Sequence, residues 1–577
     1  MTLTLTTAYL IPLHMLVEIV CACVALAACL QLLRRRRRVP SIEQHYPEEA
    51  KPGWQGATFR LADAPLISKE NKITCYDPAT GYLLASVSAD TPDTIDSKIS
   101  RAAEAQRAWK NSSFEERRQC LRTMLAWIQR DLDIIARIAC RDTGKTAIDA
   151  AFGELLTTCA KLTWTIQHGE RVLRPERRAG NLLLAHKRCT VLHEPLGVVA
   201  ACVSWNYPVH NMLGPIISAL FAGNAIIVKC SEHVVWSSQH VLTSVHKCMD
   251  ACGVPRDLVQ LVACGPQTVE ALTRDARLAH ITFIGSDVVG RRVAEAAAPQ
   301  LTPTTLELGG KDPALILPST RLDFFTSMCM YTCFPHTHTG THILTLSVLR
   351  ACFQAMGQNC IGIERFLIPD SMQDDLVQAV KPRIAALRCG STLDDTSMGH
   401  GAKAQQGKNG DHVDCGAMIT DARFDALEEL IADAVAHGAR LVVGGKRYNH
   451  PRWPHGHYFS PTLLTHVTPT MRIAQEEVFG PVFLVMPYRT VDDAVAIANG
   501  TPFGLGASVF GRDYKECQHV ASQLTCGMVN INEYVCTRLA AIVQRSTRDG
   551  ACSSRHGCGY RDEGTKKKTW SLLLKTR

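Results

Sequence analysis

Two short apolar runs constrain the fold of this chain more than any other feature. Residues 197–203 read GVVAACV and residues 225–228 read AIIV, with no charged or amide side chain in either run. Runs of this length and composition are typical of strands buried on both faces of a parallel sheet. Residues 101–133, in contrast, carry apolar side chains at helical spacing. The alternation of the two patterns predicts an α/β fold.

Length and charge narrow the class of protein further. The chain has 577 residues, enough for about two to four domains. Its formal charge of +8 comes from the two ends, since residues 1–40 carry +4 and residues 537–577 carry +7, which leaves −3 for residues 41–536. A protein that binds nucleic acid usually carries its positive charge on the folded domain that meets the phosphates. The charge distribution therefore argues against a nucleic-acid partner.

The first forty residues have the pattern of a membrane anchor. Residues 8–33 are apolar except for His14, Glu18 and Gln31, and five consecutive arginines follow at residues 34–38. A helix of this length can cross about 30 Å of hydrocarbon, and the arginines mark its cytosolic end. A buried or interfacial helix is the alternative, because Glu18 is costly in lipid. We therefore predict a single-pass transmembrane anchor at 8–33, a basic stop and linker at 34–55, and a cytosolic main domain on the endoplasmic reticulum or another endomembrane.

Four short segments carry residue types suited to chemistry. They read SWNYP at 204–208, LELGGK at 306–311, GQNC at 357–360 and EEVFGP at 476–481. Shorter segments accompany them, namely AGNA at 222–225, KCSE at 229–232, TFIGS at 282–286 and NIN at 530–532. The chain has no GxGxxG fingerprint at a strand–helix junction, so the usual Rossmann dinucleotide site is not predicted.

In this order, the segments resemble the aldehyde dehydrogenase superfamily from about residue 58 to residue 533, and most closely its membrane-anchored fungal and plant branch. The resemblance implies the aldehyde dehydrogenase fold, with a Rossmann-like NAD-binding domain and an α/β catalytic domain. The implied division is a NAD-binding domain at 56–173 and 196–308, a bridging hairpin at 174–195, and a catalytic domain at 309–536. Members of the family are usually homo-oligomers.

The resemblance assigns three catalytic residues, and each residue type suits its task. Cys360 is implied as the nucleophile, because a thiolate adds readily to a carbonyl carbon. The adduct oxygen becomes anionic, and the implied donors are the side-chain amide of Asn206 and the backbone N–H of Cys360. Glu307 is implied as the general base that activates water against the thioester. The alternative is that none of the three is catalytic: Cys360 would be an ordinary buried cysteine, Asn206 a turn residue and Glu307 a solvated glutamate.

The resemblance also assigns a set of cofactor-binding residues. A carboxylate at the adenosine ribose favours a free 2′-hydroxyl over a 2′-phosphate, so NAD is predicted rather than NADP. The N-terminus of a helix near residue 287 would lie beside the pyrophosphate, because its free N–H groups favour anions. The implied residues are Trp205, Lys229, Glu232, Gly285, Ser286, Glu477 and Phe479.

Several features differ from the usual family pattern. Ser204 replaces a proline of many members, and Pro215 stands where many carry a lysine. The 53 positions between Glu307 and Cys360 exceed the usual interval, which indicates an insert at 326–348. The tail at 537–577 is basic and atypical, without the usual PFGG loop and oligomerisation strand.

The predicted insert contains potential zinc ligands, which are Cys329, Cys333, His336, His338 and His342. Residues 336–339 read His-Thr-His-Thr, which is what a translated CA repeat encodes. We therefore interpret the segment as a retained intron or a gene-model error, and we predict no metal site.

Together these features predict a membrane-tethered enzyme that oxidises a small-molecule aldehyde to a carboxylic acid with NAD. The alternative is a membrane-tethered pseudoenzyme or scaffold that keeps the fold without turnover, which the insert and the tail favour.

Overall fold

Parallel strands dominate the observed architecture. The computed structural model describes residues 39–59, 65–178, 189–322, 325, 346–394, 413–533 and 574–576. Its two large sheets contain five and seven strands. The fold is therefore α/β, as the two apolar runs predict.

Short antiparallel pairs precede the first large sheet. The first pair is β1 (Lys72–Tyr76) with β2 (Leu83–Ser88). The second is β3 (Glu176–Arg178) with β4 (Cys189–Val191), which lies within the predicted bridging hairpin. The next strand, β5 (His193–Pro195), pairs antiparallel with Leu574–Thr576 near the end of the chain. The predicted atypical tail thus contributes one short strand to the described structure.

The first large sheet has five strands, and every neighbouring pair is parallel. They are β6 (Val198–Cys202), β7 (Ala225–Cys230), β8 (Val259–Ala263), β9 (Leu278–Ile284) and β10 (Thr304–Glu307). Their order across the sheet is β10-β9-β6-β7-β8. Strands β6 and β7 coincide with the two apolar runs, and all residues of β6 are buried.

The second large sheet has seven strands in the order β13-β14-β15-β12-β11-β16-β17, and only the β13–β14 pair is antiparallel. The strands are β11 (Asp312–Ile316), β12 (Ile363–Pro369), β13 (Arg440–Val443), β14 (Thr462–Thr465), β15 (Val482–Tyr488), β16 (Gly506–Phe510) and β17 (Met528–Ile531). The chain changes sheets between Glu307 and Asp312.

Helices cover both sheets and complete two separate hydrophobic cores. With the first sheet lie α1 (Pro92–Trp109), α2 (Phe114–Arg130), α3 (Leu132–Thr143), α4 (Ala147–Ala150), α5 (Thr157–Val172), α6 (Pro208–Ala222), α7 (Val235–Asp250), α8 (Glu270–Thr273) and α9 (Asp287–Ala297). A π-helical turn, Ala151–Leu156, joins α4 to α5. With the second sheet lie α10 (Leu346–Phe353), α11 (Gln373–Ala385), α12 (Phe424–Ala436), α13 (Arg472–Gln475), α14 (Val491–Asn499) and α15 (Tyr514–Gln523).

The helical spacing at 101–133 is divided between helices rather than continuous. Helix α1 ends at Trp109, and α2 begins after Ser113, whose hydroxyl accepts a hydrogen bond from the Glu116 N–H. The Glu116 carboxylate in turn accepts from the Ser113 N–H, which completes a capping box. A capping box starts a new helix, so the break follows from local chemistry.

The predicted linker, residues 34–55, is partly structured. Ala50 is buried, and its carbonyl accepts a hydrogen bond from Arg137 Nε at 2.6 Å. The Glu49 carbonyl accepts from Arg141 Nε at 2.8 Å. The segment was predicted to be a linker, whereas hydrogen bonds to buried arginines tie it to helix α3 beside the first sheet.

Three of the predicted segments fall wholly or mostly outside the described residues. These are the anchor at 8–33, the insert at 326–348 and most of the tail at 537–577. Among the helices that the structure does describe, none combines the length and the apolar character needed to cross a membrane.

Candidate active site

One cavity of about 450 Å³ is lined by every residue that the sequence analysis selected. It lies at the carboxyl ends of β6, β7, β9 and β10, where parallel strands commonly present ligand-binding residues. All ten predicted residues line it: Trp205, Asn206, Lys229, Glu232, Gly285, Ser286, Glu307, Cys360, Glu477 and Phe479. The structure brings them together, while the role of each stays a prediction.

The loop that leads to Cys360 has an unusual backbone. Ala355, Met356 and Gly357 have φ angles of 50°, 59° and 72°, so three successive residues are left-handed. This conformation is costly for residues with a side chain. At Gly357, an added Cβ would overlap the carbonyl oxygen of Gly480. The glycine therefore permits close contact between the Cys360 loop and the EEVFGP segment.

Two more glycines allow the first sheet to approach this loop. A Cβ at Gly310 would overlap the carbonyl oxygen of Cys360. A Cβ at Gly309 would overlap the carboxylate of Glu477. The paired glycines of the LELGGK segment thus bring the end of β10 against both the Cys360 loop and Glu477.

The Cys360 loop is held from the other core by Asp149 of α4. Its carboxylate accepts hydrogen bonds from Arg350 Nη1 at 2.7 Å and from the Ala355 N–H at 3.2 Å. Within the loop, Gln358 Nε2 donates to the Ala355 carbonyl at 2.8 Å. These contacts offset the cost of the left-handed residues by giving the loop several fixed partners.

Asn206 is buried beside the same loop. Its side-chain Nδ2 donates to the Gln358 carbonyl oxygen at 3.0 Å. Its Oδ1 accepts from the Ser204 hydroxyl at 2.7 Å and from Asn211 Nδ2 at 3.3 Å. The amide nitrogen therefore faces the segment that carries Cys360, and the amide oxygen faces the start of α6.

A buried ion pair supports the backbone of Asn206. Lys145 Nζ lies 2.7 Å from Glu154 Oε1 and donates to the Asn206 carbonyl oxygen at 2.6 Å. Glu154 Oε2 also accepts from the Val209 N–H at 2.6 Å, in the first turn of α6. A carboxylate at a helix N-terminus is favourable because the free N–H groups carry partial positive charge.

Glu307 is the last residue of β10 and has an altered acidity. Burial raises the pKa of its carboxyl to about 7, and the nearby charge of Lys161 opposes that rise. A group with this pKa is partly ionised at neutral pH, which suits a general base. Burial lowers the pKa of Lys161 to about 8, so its ammonium is still charged at neutral pH.

Cys360 is half-buried, and its thiol is protonated at neutral pH. Burial raises its pKa well above the usual value, and the carboxylates of Glu477, Asp312 and Glu307 add to the rise. A protonated thiol needs a base before it can attack a carbonyl carbon. Two carboxyl groups that line the cavity, Glu307 and Glu477, each have a pKa of about 7 that suits that transfer.

Glu364 of β12 holds the EEVFGP segment in place. Its carboxylate accepts from the Val478 N–H at 3.0 Å and from the Phe479 N–H at 2.9 Å. Lys311 Nζ lies 2.5 Å from the same carboxylate. The Phe479 ring meets Trp205 edge to face, with 5.7 Å between the ring centroids. This places Trp205 and Phe479 together at one wall of the cavity.

The opposite part of the cavity has the features of a dinucleotide site. Lys229 Nζ and Glu232 Oε2 lie 3.2 Å apart at the end of β7. Gly285 and Ser286 directly precede α9, an eleven-residue helix whose N-terminus faces the cavity. A ribose could hydrogen-bond to the pair, and a pyrophosphate could meet the helix N-terminus. The residues present therefore fit a nicotinamide dinucleotide.

Sequence reasoning did not select several residues that support the site: Lys145, Asp149, Glu154, Lys161, Asn211 and Glu364. They lie on helices, strands or loops without a recognisable motif, and most of them have a partner that is remote in sequence. Lys311 lies in the LELGGK segment, but no role was predicted for it. The charged residues Glu364 and Arg365 within the otherwise apolar strand β12 are a signal that could have drawn attention to Glu364.

Comparison with known proteins agrees with this geometry. The sequence model of the aldehyde dehydrogenase family matches residues 66–340 and 344–545. The chain belongs to the aldehyde dehydrogenase family. The short break in the match lies inside the predicted insert, and the match continues past residue 533.

Individual relatives of this aldehyde dehydrogenase family member support the same assignment. An aldehyde dehydrogenase-like protein of Saccharomyces cerevisiae is 45% identical over 505 residues, covering 85% of this chain and 73% of the relative. An NADP⁺ succinate-semialdehyde dehydrogenase of Mycobacterium tuberculosis is 30% identical, covering 80% of this chain and 91% of the relative. A crystal structure of a Mycobacterium tuberculosis aldehyde dehydrogenase complexed with NAD⁺ superposes with a TM-score of 0.70 at 27% identity. The match covers 86% of this chain and 92% of that chain.

Proposed function

We propose that this family member oxidises an aldehyde to a carboxylic acid, with NAD as the hydride acceptor, through covalent intermediates on Cys360. The observation that carries the proposal is the meeting of Cys360, Asn206 and Glu307 in one cavity with the dinucleotide-binding features. A thiol, an amide donor and a carboxyl group with a pKa of about 7 supply a nucleophile, an oxyanion donor and a base.

In the first step, Glu307 accepts the proton of the Cys360 thiol. The sulfur then bonds to the aldehyde carbon, the carbonyl π bond opens, and its electron pair moves to oxygen. The Asn206 amide and the Cys360 N–H stabilise the resulting oxyanion. NAD, when bound, supplies the chemistry of a hydride acceptor, and a thioester is left on Cys360.

In the second step, the thioester is hydrolysed. Glu307 first releases the thiol proton to solvent and then accepts a proton from water, the water oxygen bonds to the acyl carbon, and the carbon–sulfur bond breaks. The products are the carboxylic acid and the Cys360 thiolate, which is protonated again. A water-activating carboxylate favours this outcome over acyl transfer to coenzyme A.

Glu232 supports NAD over NADP. Its carboxylate lines the cavity beside Lys229, and a negative charge there disfavours a 2′-phosphate. Replacing Glu232 with Gln should lower kcat/KM for NAD and raise it for NADP. An unchanged preference in this variant would contradict the assignment of Glu232 to the ribose.

The proposal is tested with the full chain, NAD and a panel of short and long aldehydes, since the predicted anchor suggests lipid-derived substrates. Cys360→Ser should abolish NADH formation and keep NAD binding, because an unactivated hydroxyl is a poor nucleophile. Glu307→Gln should slow both the initial formation of NADH and the steady rate, because Glu307 is the base in both steps. NAD binding without turnover in the unmodified chain would favour the pseudoenzyme alternative.

We also propose that the chain is anchored in an endomembrane with its catalytic domain in the cytosol. This part of the proposal rests on the apolar residues 8–33 and the arginines at 34–38.

A further inference from the structure

The side chain of Asn206 is oriented by two polar neighbours. The Ser204 hydroxyl donates to Asn206 Oδ1 at 2.7 Å, and Asn211 Nδ2 donates to the Ser204 hydroxyl oxygen at 2.9 Å. Asn211 Nδ2 also lies 3.3 Å from Asn206 Oδ1. The three side chains form a chain of hydrogen bonds that runs from the first turn of α6 to the amide beside the Cys360 loop.

The chemistry of the neighbours permits one orientation of this amide. The Gln358 carbonyl oxygen can only accept a hydrogen bond, so the atom of Asn206 that faces it at 3.0 Å must be the nitrogen. On the other side, a rotated amide would set its NH₂ group against the NH₂ group of Asn211. Two donors facing each other in a buried site would leave both without an acceptor, which is costly.

An amide nitrogen has two N–H bonds. In Asn206, one of them is taken by the Gln358 carbonyl oxygen. The other is available for an oxyanion formed on the neighbouring Cys360. The direction of this second N–H is set by the first, and therefore by the hydrogen bonds that hold the amide oxygen.

We propose that Ser204 and Asn211 are positioning residues that fix the amide of Asn206 as the oxyanion donor for the adduct on Cys360. The proposal rests on the proposed function and adds two residues that act through Asn206, of which Ser204 also lines the cavity. Ser204 stands where many family members carry proline, which has no hydroxyl to donate. The hydroxyl is thus a device of this chain for orienting the amide.

The test uses the full chain with hexanal and NAD and measures kcat and KM separately. Ser204→Ala removes the donor to Asn206, and Asn211→Asp replaces the NH₂ group with a carboxylate that competes for the Ser204 proton. Both should lower kcat by roughly 10- to 100-fold, since the loss of a whole oxyanion donor costs about 10²- to 10³-fold. Ser204→Thr keeps a hydroxyl and should restore most of the rate.

A double variant separates positioning from general structural damage. In an Asn206→Ala background, Ser204→Ala should have little further effect, because residues that act through one group are not additive. Ser218→Ala, on the same helix as Asn211, is the matched control, since its hydroxyl donates to the Gly214 carbonyl within α6, and its kcat should be unchanged. Additive losses in the double variant, or normal kcat in Ser204→Ala and Asn211→Asp, would overturn the proposal.

A measurement without turnover distinguishes failure of this inference from failure of the proposed function. Hexanal alone should form a reversible adduct with Cys360 and slow its alkylation by iodoacetamide, followed by mass spectrometry of the Cys360 peptide. If the proposal holds, Ser204→Ala and Asn211→Asp weaken the protection by hexanal without changing alkylation in its absence. Equal protection in all variants contradicts the positioning role, even for a chain that makes no NADH.

Discussion

Glu307 and Lys161 carry opposite charges on elements that are remote in sequence. Lys161 belongs to α5, and its Nζ would lie 3.8 Å from a Cβ at Gly214 of α6. Because Gly214 has no side chain, the Lys161 ammonium can lie close to the backbone of α6. His210 also faces Lys161, but burial and that charge lower its pKa to about 3, so it stays neutral. Lys161 is therefore the charged partner that opposes the raised pKa of Glu307.

The first prediction concerns the pH dependence of turnover. Below pH 7 the Glu307 carboxyl is protonated and cannot act as a base, so kcat should rise with pH through about 7. Lys161→Met removes the opposing positive charge and should move this rise to higher pH by about one unit. Lys161→Arg should leave it nearly in place, since the charge is kept. The measurement is kcat against pH with hexanal.

Lys381→Met is the control for Lys161→Met, because Lys381 is exposed on α11. Its pH profile should match that of the unmodified chain. An unshifted profile in Lys161→Met would show that the Lys161 charge does not control the ionisation of Glu307.

At the scale of elements, the Cys360 loop concentrates backbone strain and close contacts. Three left-handed residues precede Gln358, and two of them carry side chains. The loop keeps this shape because Asp149, Gly480 and the paired glycines after β10 surround it. Strain held by such surroundings is common where a reactive group must be presented in one orientation.

The second prediction concerns Gly357→Ala. The left-handed φ alone costs an alanine about 1–2 kcal/mol, and overlap with the Gly480 carbonyl oxygen adds to that cost. We expect a drop in the free energy of unfolding well above 2 kcal/mol, and loss of aldehyde oxidation. Urea unfolding and NADH formation measure the two effects.

Gly53→Ala is a matched control for this substitution. Gly53 has the same φ of 72°, and nothing lies within 4 Å of its added Cβ. Gly53→Ala should lower the free energy of unfolding only by the cost of the left-handed φ, and it should keep full activity. Equal destabilisation of the two variants would mean that contact with Gly480 contributes nothing.

These elements also show what can be predicted from the sequence. The strands β6 and β7 follow from local apolar runs, and the cavity residues lie in recognisable motifs. The break between α1 and α2 was not predicted, because apolar spacing continues across it while capping at Ser113 interrupts the helix. Lys161 was not predicted either, since a polar residue on a helix gives no indication of a partner that folding brings from elsewhere. Asn211 was not predicted because its spacing from Ser204 and Asn206 matches no motif.

At the scale of the whole molecule, residues 39–59 belong to the folded unit. Arg141 donates to the carbonyls of Glu49 and Trp54, and its guanidinium lies 5.1 Å from the Trp54 ring. It also forms a fully buried ion pair with Asp77 at 2.8 Å. Removing the segment would take from these buried guanidinium groups part of their hydrogen-bond acceptors.

The third prediction therefore compares two shortened chains. A chain that starts at Val39 should unfold with the same urea midpoint as the full chain. A chain that starts at Gly56 should lose roughly 3–6 kcal/mol, because hydrogen bonds to charged groups contribute about 1.5–3 kcal/mol each. Equal stability of both would show that residues 39–55 are only a spacer.

The fourth prediction concerns the membrane. Protease added to intact microsomes should digest the catalytic domain of the full chain, and the chain that starts at Val39 should be found in the soluble fraction. Protection of the domain until detergent is added would show that it lies on the lumenal side, contrary to the proposed orientation. A shortened chain that still sediments with membranes would contradict an anchor at 8–33.

The two sheets are joined by the four residues between Glu307 and Asp312. The base and the oxyanion amide lie at the ends of strands of the first sheet, and the thiol precedes a strand of the second. The reaction that we propose is therefore a property of the interface between the sheets. A substitution that shifts one sheet against the other should impair turnover even when it leaves all three groups unchanged.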